Sequence, residues 1–296
     1  MAKVKPPNPD ELVSDISAAM PLRAAGFLVT LYGDAVVPRG AEVWMGAIIE
    51  TCAQVGFSET LVRTAVSRLV AAGQLEGARR GRRSFYRLTA SAQAEYAEAA
   101  GLIYGAPDPC GWRFVYLPAE GADAVMSGLE RQGYARLRAQ LAVGPARGPV
   151  PPDLLAFEAE PTGATALLPQ FVAQMFNLTP HARAYADLIQ QFAPVLPLAP
   201  RIGGPQALAL RLLLVHGWRS ALQHDPRLPK EALPKDWPGH AARALFARLY
   251  LALSPAADSH IAAHFGAETA GLTDSEPRDH PYLTQLREMA AQAGGA

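Results

Sequence analysis

The sequence predicts an α+β protein with more than one domain. The chain has 296 residues, of which 50% are hydrophobic and 18% are charged. At roughly 150 residues per domain, this length allows two or three domains with their own cores. Helical hydrophobic periodicity dominates the chain, short strand-like segments follow it within the first 105 residues, and segments rich in proline and glycine interrupt it.

The composition excludes several classes of protein. Balanced charge and a high apolar content argue against a disordered chain. The apolar stretches at 207–215 and 249–253 are far shorter than the ~20 residues of a membrane span, and residues 1–10 lack the apolar core of a signal peptide. Cys52 and Cys110 are too few for a disulfide framework or a cysteine-based zinc site. We therefore expect a cytoplasmic protein that does not enter a membrane.

Proline and glycine also predict the domain boundaries. Two breaks lie at 105–109 and 194–205, and the segment 144–152, which is also rich in proline and glycine, is predicted to be a loop. The predicted divisions are a tail at 1–19, a first domain at 20–105, a middle domain at 110–195, a mostly helical C-terminal domain at 205–266, and a tail at 267–296 with a possible helix near 282–293.

The first domain begins with three predicted helices. The first opens at Pro21 and ends at Gly33, and the second covers 42–55, where apolar residues are spaced for one buried face. Ser58 is a good N-cap for the third, over 59–72. On that helix the apolar face is formed by Leu61, Val62, Ala65, Val66 and Leu69. The opposite face carries Thr60, Arg63, Thr64, Ser67 and Ala71, with Arg68 at its flank.

Two short strands and a further helix complete this domain. The strands are predicted over 74–78 and 82–88, and the helix over 89–104. Residues 61–90 hold seven arginines and one acid, a net charge of +6 that the rest of the chain must offset. One basic segment on a neutral chain indicates a polyanionic partner, although a solvated, arginine-rich loop is the alternative.

The order helix, helix, helix, basic hairpin predicts a winged helix-turn-helix that binds double-stranded DNA. Arginine can bind guanine or phosphate, and small hydroxyl groups allow close approach to the DNA backbone. The candidate DNA-binding residues are Ser58, Thr60, Arg63, Thr64, Ser67, Arg68, Arg79, Arg80, Arg82, Arg83 and Tyr86. The alternative is a small helical domain whose basic hairpin binds no nucleic acid.

Enzymatic signals are weak. His260 and His264 have i, i+4 spacing, but the segment between them has no glutamate, so the metalloprotease motif is absent. The sequence also lacks GxSxG, GxxxxGK and GxGxxG. We therefore predict no enzyme, no catalytic residue, no bound metal and no cofactor.

Several stretches, in the same order along nearly the whole chain, resemble those of PaaX-type repressors. They are Leu31–Asp34, Pro38–Gly40, Val62–Leu69 and Gly81–Thr89, followed by Leu212–His216, Arg219, Asp225–Pro229, Leu233–Pro234, Asp236–Gly239 and Leu249–Tyr250. The resemblance implies a bacterial transcriptional repressor of phenylacetic acid degradation that binds operator DNA, usually as a homodimer. It also implies release from DNA by phenylacetyl-coenzyme A.

The resemblance further implies a ferredoxin-like middle domain of βαββαβ order, similar to a small CRISPR-associated endoribonuclease. A strand at 112–117, a helix at 121–132 and one or two strands within 134–143 agree with this order. The first strand is followed by Pro118-Ala119-Glu120 rather than by an aspartate, and a metal-dependent nuclease needs carboxylates placed for Mg²⁺. We expect a structural or dimerising domain, with a metal-dependent nuclease as the lesser alternative.

An acyl-coenzyme A effector needs cationic donors for its phosphates and aromatic faces for its base. The C-terminal part offers such side chains at Arg211, His216, Trp218, Arg219, Arg227 and Trp237. The alternative is that the histidine and tryptophans are core residues and the arginines connect domains. A winged-helix regulator that responds to an unrelated ligand also fits the sequence.

Overall fold

The computed structural model describes residues 8–39, 42–105, 110–265 and 282–292. These residues form an α+β fold with eleven α-helices and two antiparallel sheets, which confirms the predicted class. The chain divides into two compact units. Unit 1 is Met1–Ala106, Leu188–Arg219 and Ala242–Ala296, and unit 2 is Pro107–Asp187 and Ser220–Ala241. Unit 1 thus combines residues of the first and last predicted domains, whose boundaries stay predictions.

The N-terminal part of unit 1 contains five helices. They are α1 (Pro9–Ala19), α2 (Ala24–Leu31), α3 (Met45–Gln54), α4 (Glu59–Ala71) and α5 (Ala90–Tyr104). A π-helical turn at Tyr32–Val36 and a 3-10 turn at Val37–Arg39 extend α2. The ends of α3, α4 and α5 agree with the predicted helices to within three residues.

The predicted tail at 1–19 is corrected by α1. Asn8 caps this helix in a reciprocal capping box with Glu11, and Val13 and Ile16 are buried. Local capping and two buried apolar side chains thus keep 9–19 helical, although the prolines before them predict a tail. Residues 1–7 of that prediction lie outside the described residues, as do 267–281 and 293–296 of the predicted C-terminal tail.

The first sheet has the strand order β1-β3-β2, with β1 at Val43–Trp44, β2 at Leu75–Arg80 and β3 at Arg83–Leu88. The hairpin register runs from Leu75 opposite Leu88 to Arg80 opposite Arg83. The predicted helix at 42–55 starts later than expected, at Met45. The reason is long-range, because residues 43 and 44 pair with Tyr86 and Phe85 instead of joining the helix.

The C-terminal helices are α8 (Thr179–Phe192), α9 (Gly204–His224), α10 (Pro238–Phe265) and α11 (Leu283–Gln292). Helix α11 lies within the segment where the sequence predicts helix, at 282–293. Most side chains of α9 between 207 and 215 are fully buried, which explains the apolar run in that part of the sequence. Within the described residues, none of the helices combines the length and apolar character needed to cross a bilayer.

A network of buried charges lies in the core of unit 1. Arg211 on α9 donates to Asp34 at 2.8 Å and to Asp258 on α10 at 2.6 Å, and Arg211 and Asp34 are each only 1% exposed. Tyr104 and Tyr250 donate to the second oxygen of Asp34 at 3.0 and 2.9 Å. Burial, and then the Asp34 charge, raise the pKa of both phenols, so they remain protonated donors.

Unit 2 is built on the second sheet, whose strand order is β5-β6-β4-β7 with all neighbours antiparallel. The elements are β4 (Trp112–Tyr116), α6 (Ala122–Glu130), β5 (Ala135–Arg138), β6 (Leu141–Pro145), β7 (Leu155–Ala159) and α7 (Leu168–Met175). One side of the sheet packs around Trp112, Val143 and Val172. A second cluster forms around Val115, Met126 and Leu129.

The middle of the chain departs from the βαββαβ order at one point. The observed order is β4-α6-β5-β6-β7-α7, and residues 146–154, all of them described, contain no helix between β6 and β7. This connection is short and includes Pro149, Pro151 and Pro152, which cannot donate backbone hydrogen bonds to a helix. The α+β class is therefore established here, and the ferredoxin-like assignment stays a prediction.

The buried network predicts a large, localised loss of stability. We expect Asp34→Ala to lower the free energy of unfolding by about 3–5 kcal/mol, because it leaves the buried Arg211 charge without its main partner. Glu76→Ala is the matched control, since it removes an exposed carboxylate that pairs with Arg87 at 2.7 Å; its cost is expected to stay below about 1 kcal/mol. Urea unfolding followed by circular dichroism measures the free energy of unfolding of both variants, and equal losses would contradict the stabilising role of the buried network.

Candidate nucleic-acid interface

Helix α4 separates its two faces as the sequence predicts, with one exception. Ser58 accepts a hydrogen bond from the Leu61 backbone amide and so caps the helix. The buried positions are Val62, Ala65, Val66 and Leu69. Leu61, predicted to lie on the apolar face, is 47% exposed. Leu61 lies outside the row of buried side chains that contacts the core, so it adds an apolar group to the exposed face of the helix.

All the polar side chains of α4 that are predicted to bind DNA lie on its exposed face. Thr60, Arg63, Thr64, Ser67 and Arg68 are exposed, as is the capping Ser58. The Thr64 hydroxyl donates to the Thr60 carbonyl at 2.8 Å. Arg63 pairs with Glu59 one turn earlier at 2.8 Å, and both side chains are more than half exposed. Such a pair contributes only a few tenths of a kcal/mol, so a phosphate or a base edge can replace it at little cost.

The basic hairpin follows α4 directly. Its two-residue turn is Gly81-Arg82, and Gly81 has φ 56°, a conformation that favours glycine. The Thr89 hydroxyl donates to the Gly73 carbonyl at 2.8 Å and the Gln74 amide donates to Leu69 at 2.9 Å. These bonds attach the base of the hairpin to the end of α4, so the position of the hairpin relative to α4 is determined locally.

Aromatic side chains support two of the hairpin arginines. The guanidinium of Arg80 lies 5.1 Å from the ring centre of Phe85, and that of Arg83 lies 4.8 Å from the ring centre of Trp44. Arg80 also pairs with Glu42. Trp44 and Glu42 were not predicted to belong to this surface, since only the pairing of β1 with β3 brings them beside it.

The positive charge of this surface is partly neutralised. Arg63, Arg80 and Arg87 pair with Glu59, Glu42 and Glu76, respectively. Arg68, Arg79 and Arg82 form no ion pair with any residue that the structure describes.

Tyr86 is half-buried, and its backbone carbonyl accepts a hydrogen bond from the Tyr32 hydroxyl. The geometry therefore brings the predicted residues of α4 and the hairpin onto consecutive elements of one unit.

The six residues predicted to bind an acyl-coenzyme A are divided between the two compact units. Arg211, His216, Trp218 and Arg219 belong to unit 1, and Arg227 and Trp237 belong to unit 2. Arg211 and Trp218 are each 1% exposed and have internal partners. The Trp218 indole donates to the Ile103 carbonyl at 2.9 Å and stacks on Phe246. Their role in ligand binding stays a prediction.

The other members of the set also have internal contacts. Arg219 donates to the Gly26 carbonyl at 3.0 Å. Trp237 is 6% exposed and meets Tyr185 edge to face, with ring centres 5.9 Å apart. Arg227 has φ 52°, a left-handed conformation that is uncommon outside glycine, and its amide donates to Asp225 at 2.6 Å. Such contacts are typical of a packed interior rather than of an open binding site.

His216 is held neutral inside unit 1. Its Nδ1 lies 3.1 Å from the Thr30 hydroxyl on α2. Burial, and then the positive charge of Arg219, lower the pKa of His216 to about 4. The side chain thus connects α9 to α2 through a hydrogen bond with the Thr30 hydroxyl, which itself donates to the Gly26 carbonyl.

The histidine pair at the end of α10 lines a cavity of about 200 Å³ in unit 1. The rings of His260 and His264 are 4.0 Å apart, and Nδ1 of His264 lies 2.9 Å from the His260 carbonyl. Glu50 on α3 also lines the cavity. Among the described residues, no group of three or more histidines, cysteines and carboxylates is placed to hold a metal ion.

Comparison with known proteins gives consistent results. The family described as PaaX-like protein matches residues 23–92, and the PaaX-like protein C-terminal domain matches residues 176–263. The transcriptional repressor PaaX of Escherichia coli (strain K12) is 33% identical over an alignment of 272 residues, which covers 84% of this chain and 86% of the repressor. The uncharacterised protein Rv0674 from Mycobacterium tuberculosis aligns with a TM-score of 0.54 at 21% identity, covering 79% of this chain and 96% of that one. The latter match shows a shared fold alone.

The exposed basic surface and these matches define the class as a transcriptional regulator rather than an enzyme. Identity to the repressor extends along most of both chains, and the two family matches lie in the order expected from the sequence. The chain belongs to the PaaX-like family.

The low pKa of His216 predicts a pH dependence of stability. In the unfolded chain the imidazole titrates near pH 6.5, whereas in the folded protein it titrates near 4. As the pH falls from 6.5 to 4, the unfolded state binds the proton first, and stability is lost. Over this pH window, we expect the free energy of unfolding of His216→Gln to fall by about 2–3 kcal/mol less than that of the wild-type protein. Urea unfolding at several pH values measures the free energy of unfolding of both proteins. The carboxyl groups are common to both, so their contribution cancels in the difference. If the two free energies fell in parallel with pH, the assignment of the pH dependence to His216 would be contradicted.

Proposed function

We propose that this protein is a transcriptional repressor that binds double-stranded operator DNA through a winged helix-turn-helix. The order α2-β1-α3-α4-β2-β3 and the sheet order β1-β3-β2 support this assignment. The observation that carries the proposal is the exposed polar face of α4, which has two arginines and three small hydroxyl side chains and is followed directly by an arginine-rich hairpin. The E. coli relative is itself a transcriptional repressor.

In this proposal α4 is the recognition helix in the major groove. Arg63 and Arg68 have the length and the planar donor groups needed to read guanine or to bind phosphate. Thr60, Thr64 and Ser67 are short, so the helix axis can approach the bases closely. The exposed Leu61 offers an apolar group of the kind that contacts a thymine methyl.

The hairpin is the wing. Arg82 at its tip and Arg79 beside it lack ion-pair partners among the described residues, so phosphates can bind them without displacing a carboxylate. Arg83 is supported by Trp44, and stacking of this kind reduces the freedom that the side chain loses on binding DNA. The wing therefore contributes affinity that depends on salt and little sequence information.

The proposed partners are double-stranded operator DNA, a second copy of the chain, and an aryl-acyl-coenzyme A effector such as phenylacetyl-coenzyme A. A homodimer places two recognition helices about 34 Å apart, or a multiple of it, to match a palindrome. If the effector binds better to an arrangement that breaks this spacing, it releases the DNA. Moving the population from 99:1 to 1:99 requires about 5.5 kcal/mol of differential affinity. We place the protein in the cytoplasm.

Fluorescence anisotropy with promoter DNA from upstream of the protein's own operon tests the proposal. We expect tight, salt-dependent binding that is reversed by phenylacetyl-coenzyme A and not by free phenylacetate. Binding that no acyl thioester affects would leave the winged helix in place and remove the phenylacetate assignment. Absence of any preference for the promoter over unrelated DNA would overturn the repressor assignment.

Arg63→Ala tests the recognition helix. We expect it to weaken operator binding by about 1–3 kcal/mol and to relax base preference at one position of each half-site, because a bidentate contact with a base is lost. Anisotropy with a set of single-base operator variants measures this. Arg183→Ala is the matched control, since Arg183 is an 82% exposed arginine that also pairs with an acid one turn away on a helix. An unchanged base preference in Arg63→Ala would assign Arg63 to phosphate instead.

The double variant Arg82→Ala/Arg83→Ala tests the wing. We expect weaker binding to all DNA sequences alike, and a plot of log affinity against log salt whose slope falls by about 2, as for two lost phosphate contacts. Arg82→Ala alone keeps Arg83 on Trp44 and is expected to give half of this change. If affinity and salt slope are both unaffected, the hairpin is not a DNA-binding wing.

A further inference from the structure

The two arginines of α4 differ in their surroundings. At 3.6 residues per turn, Arg63 lies about 60° to one side of Thr60 on the exposed face, and Arg68 lies about 80° to the other side. Glu59 lies about 100° from Thr60, on the same side as Arg63. The two arginines therefore flank the exposed face of the helix, but among the described residues only Arg63 pairs with a carboxylate.

The pair between Glu59 and Arg63 uses one edge of the guanidinium group. Nε and Nη2 of Arg63 both donate to Oε1 of Glu59, each at 2.8 Å. These two nitrogens form the side edge of the planar group, so Nη1 and the second hydrogen of Nη2 can still donate from its end edge. Arginine recognises guanine by two parallel hydrogen bonds to O6 and N7. The end edge of Arg63 can make both of these bonds while Glu59 stays in place.

The charge of Glu59 affects which part of the DNA Arg63 can bind. A phosphate that took the place of the carboxylate on Arg63 would still lie close to it, and like charges brought together weaken binding. Guanine O6 and N7 are uncharged acceptors, so the repulsion is much smaller for a base edge. Glu59 therefore disfavours a phosphate contact at Arg63, whereas Arg68, on the other flank, has no such acid beside it.

Glu59 is also placed where a recognition helix contacts bases. It is the first residue and the only acid of α4, and its side chain is 59% exposed. In helix-turn-helix proteins, the residues near the N-terminal end of the recognition helix are those that contact base edges. Glu42 and Glu76, by contrast, pair with arginines of the hairpin. Removing Glu76 therefore gives a comparison in which a similar acid is lost away from the helix.

We propose that Glu59 is a positioning residue for base recognition. It holds the guanidinium of Arg63 by the side edge, directs the end edge to a guanine, and keeps the group away from phosphate. This inference rests on the proposed DNA-binding function and deepens it by naming the base that α4 selects at Arg63 and the residue that enforces the selection.

Removal of Glu59 has two opposite consequences in this arrangement. Binding to unrelated DNA becomes tighter, because a negative charge is lost from a surface that faces phosphates. The preference for guanine becomes weaker, because Arg63 is no longer held in one orientation. An acid that only stabilised the first turn of α4 would not weaken base preference while it tightened binding to unrelated DNA.

Fluorescence anisotropy with operator DNA and its single-base variants measures both consequences. Arg63→Ala identifies the base position that Arg63 contacts, and the wild-type protein is expected to prefer guanine there. We expect Glu59→Ala to lose about tenfold of this preference and to bind unrelated DNA more tightly, with a steeper dependence on salt. A Glu59→Ala protein that keeps the full preference for guanine would overturn the proposal.

Glu76→Ala is the matched control. It also removes an exposed acid that pairs with an arginine, at 2.7 Å, but on the hairpin. We expect it to bind all DNA sequences more tightly and to keep the base preference of the wild-type protein. An equal loss of base preference in Glu76→Ala would show that net charge, and not the contact with Arg63, is responsible.

The double variant Glu59→Ala/Arg63→Ala shows whether Glu59 acts through Arg63. We expect the double variant and Arg63→Ala to have the same base preference, because Glu59 then has no guanidinium to hold. If the loss of Glu59 changes base preference as much without Arg63 as with it, Glu59 is not a positioning residue. Urea unfolding of Glu59→Ala and Glu76→Ala accompanies these measurements, and both variants are expected to fold, since both side chains are exposed.

The role of Glu59 and the repressor function fail in different ways. A wild-type protein that does not prefer its promoter over unrelated DNA would remove both. A protein that prefers its promoter, while Arg63→Ala or Glu59→Ala leaves its base preference unchanged, would keep the function and remove the role of Glu59.

Discussion

The ion network around Arg211 is the constraint on which unit 1 depends. Its members lie at positions 34, 104, 211, 250 and 258, so it can form only when the extension of α2, the end of α5, and both long C-terminal helices are in place. Removing two charges from water is costly, and the attraction between them repays that cost only with good geometry and further hydrogen bonds. Here the carboxylate of Asp34 accepts from Arg211 and from two tyrosine hydroxyls. Arg39, which also donates to Asp258 at 2.7 Å, balances the second acid.

This network explains why the elements proposed to bind DNA and the C-terminal helices form one compact unit. Helix α2 packs against α4 and leads directly into the turn that holds Asp34. Two further bonds join α2 to α9, from Thr30 to His216 and from Arg219 to Gly26. The helix behind the proposed recognition helix is therefore fixed to the C-terminal part of the chain along its whole length. Helix α2 therefore contacts both α4 and α9.

Unit 2 has a different character. Its sheet is short, and its two edges are unequal, one blocked by arginines and one apolar and open. The short, proline-rich connection between β6 and β7 leaves no room for a second crossover helix, and α7 covers only part of the face that such a sheet must bury.

Sequence alone determined the elements whose stability is local. Ser58 as a cap and the helical spacing of Val62, Val66 and Leu69 are contained within a few residues of each other, and the structure has them as predicted. The other features depend on the tertiary structure. Residues 43 and 44 form a strand rather than the start of a helix, because they pair with Tyr86 and Phe85. It also gave Arg211 and Trp218, whose chemistry suits an acyl-coenzyme A equally well, partners inside the protein. The residue types show which contacts are possible. The fold determines which distant residues become partners, because a polar group that is buried without a partner costs free energy.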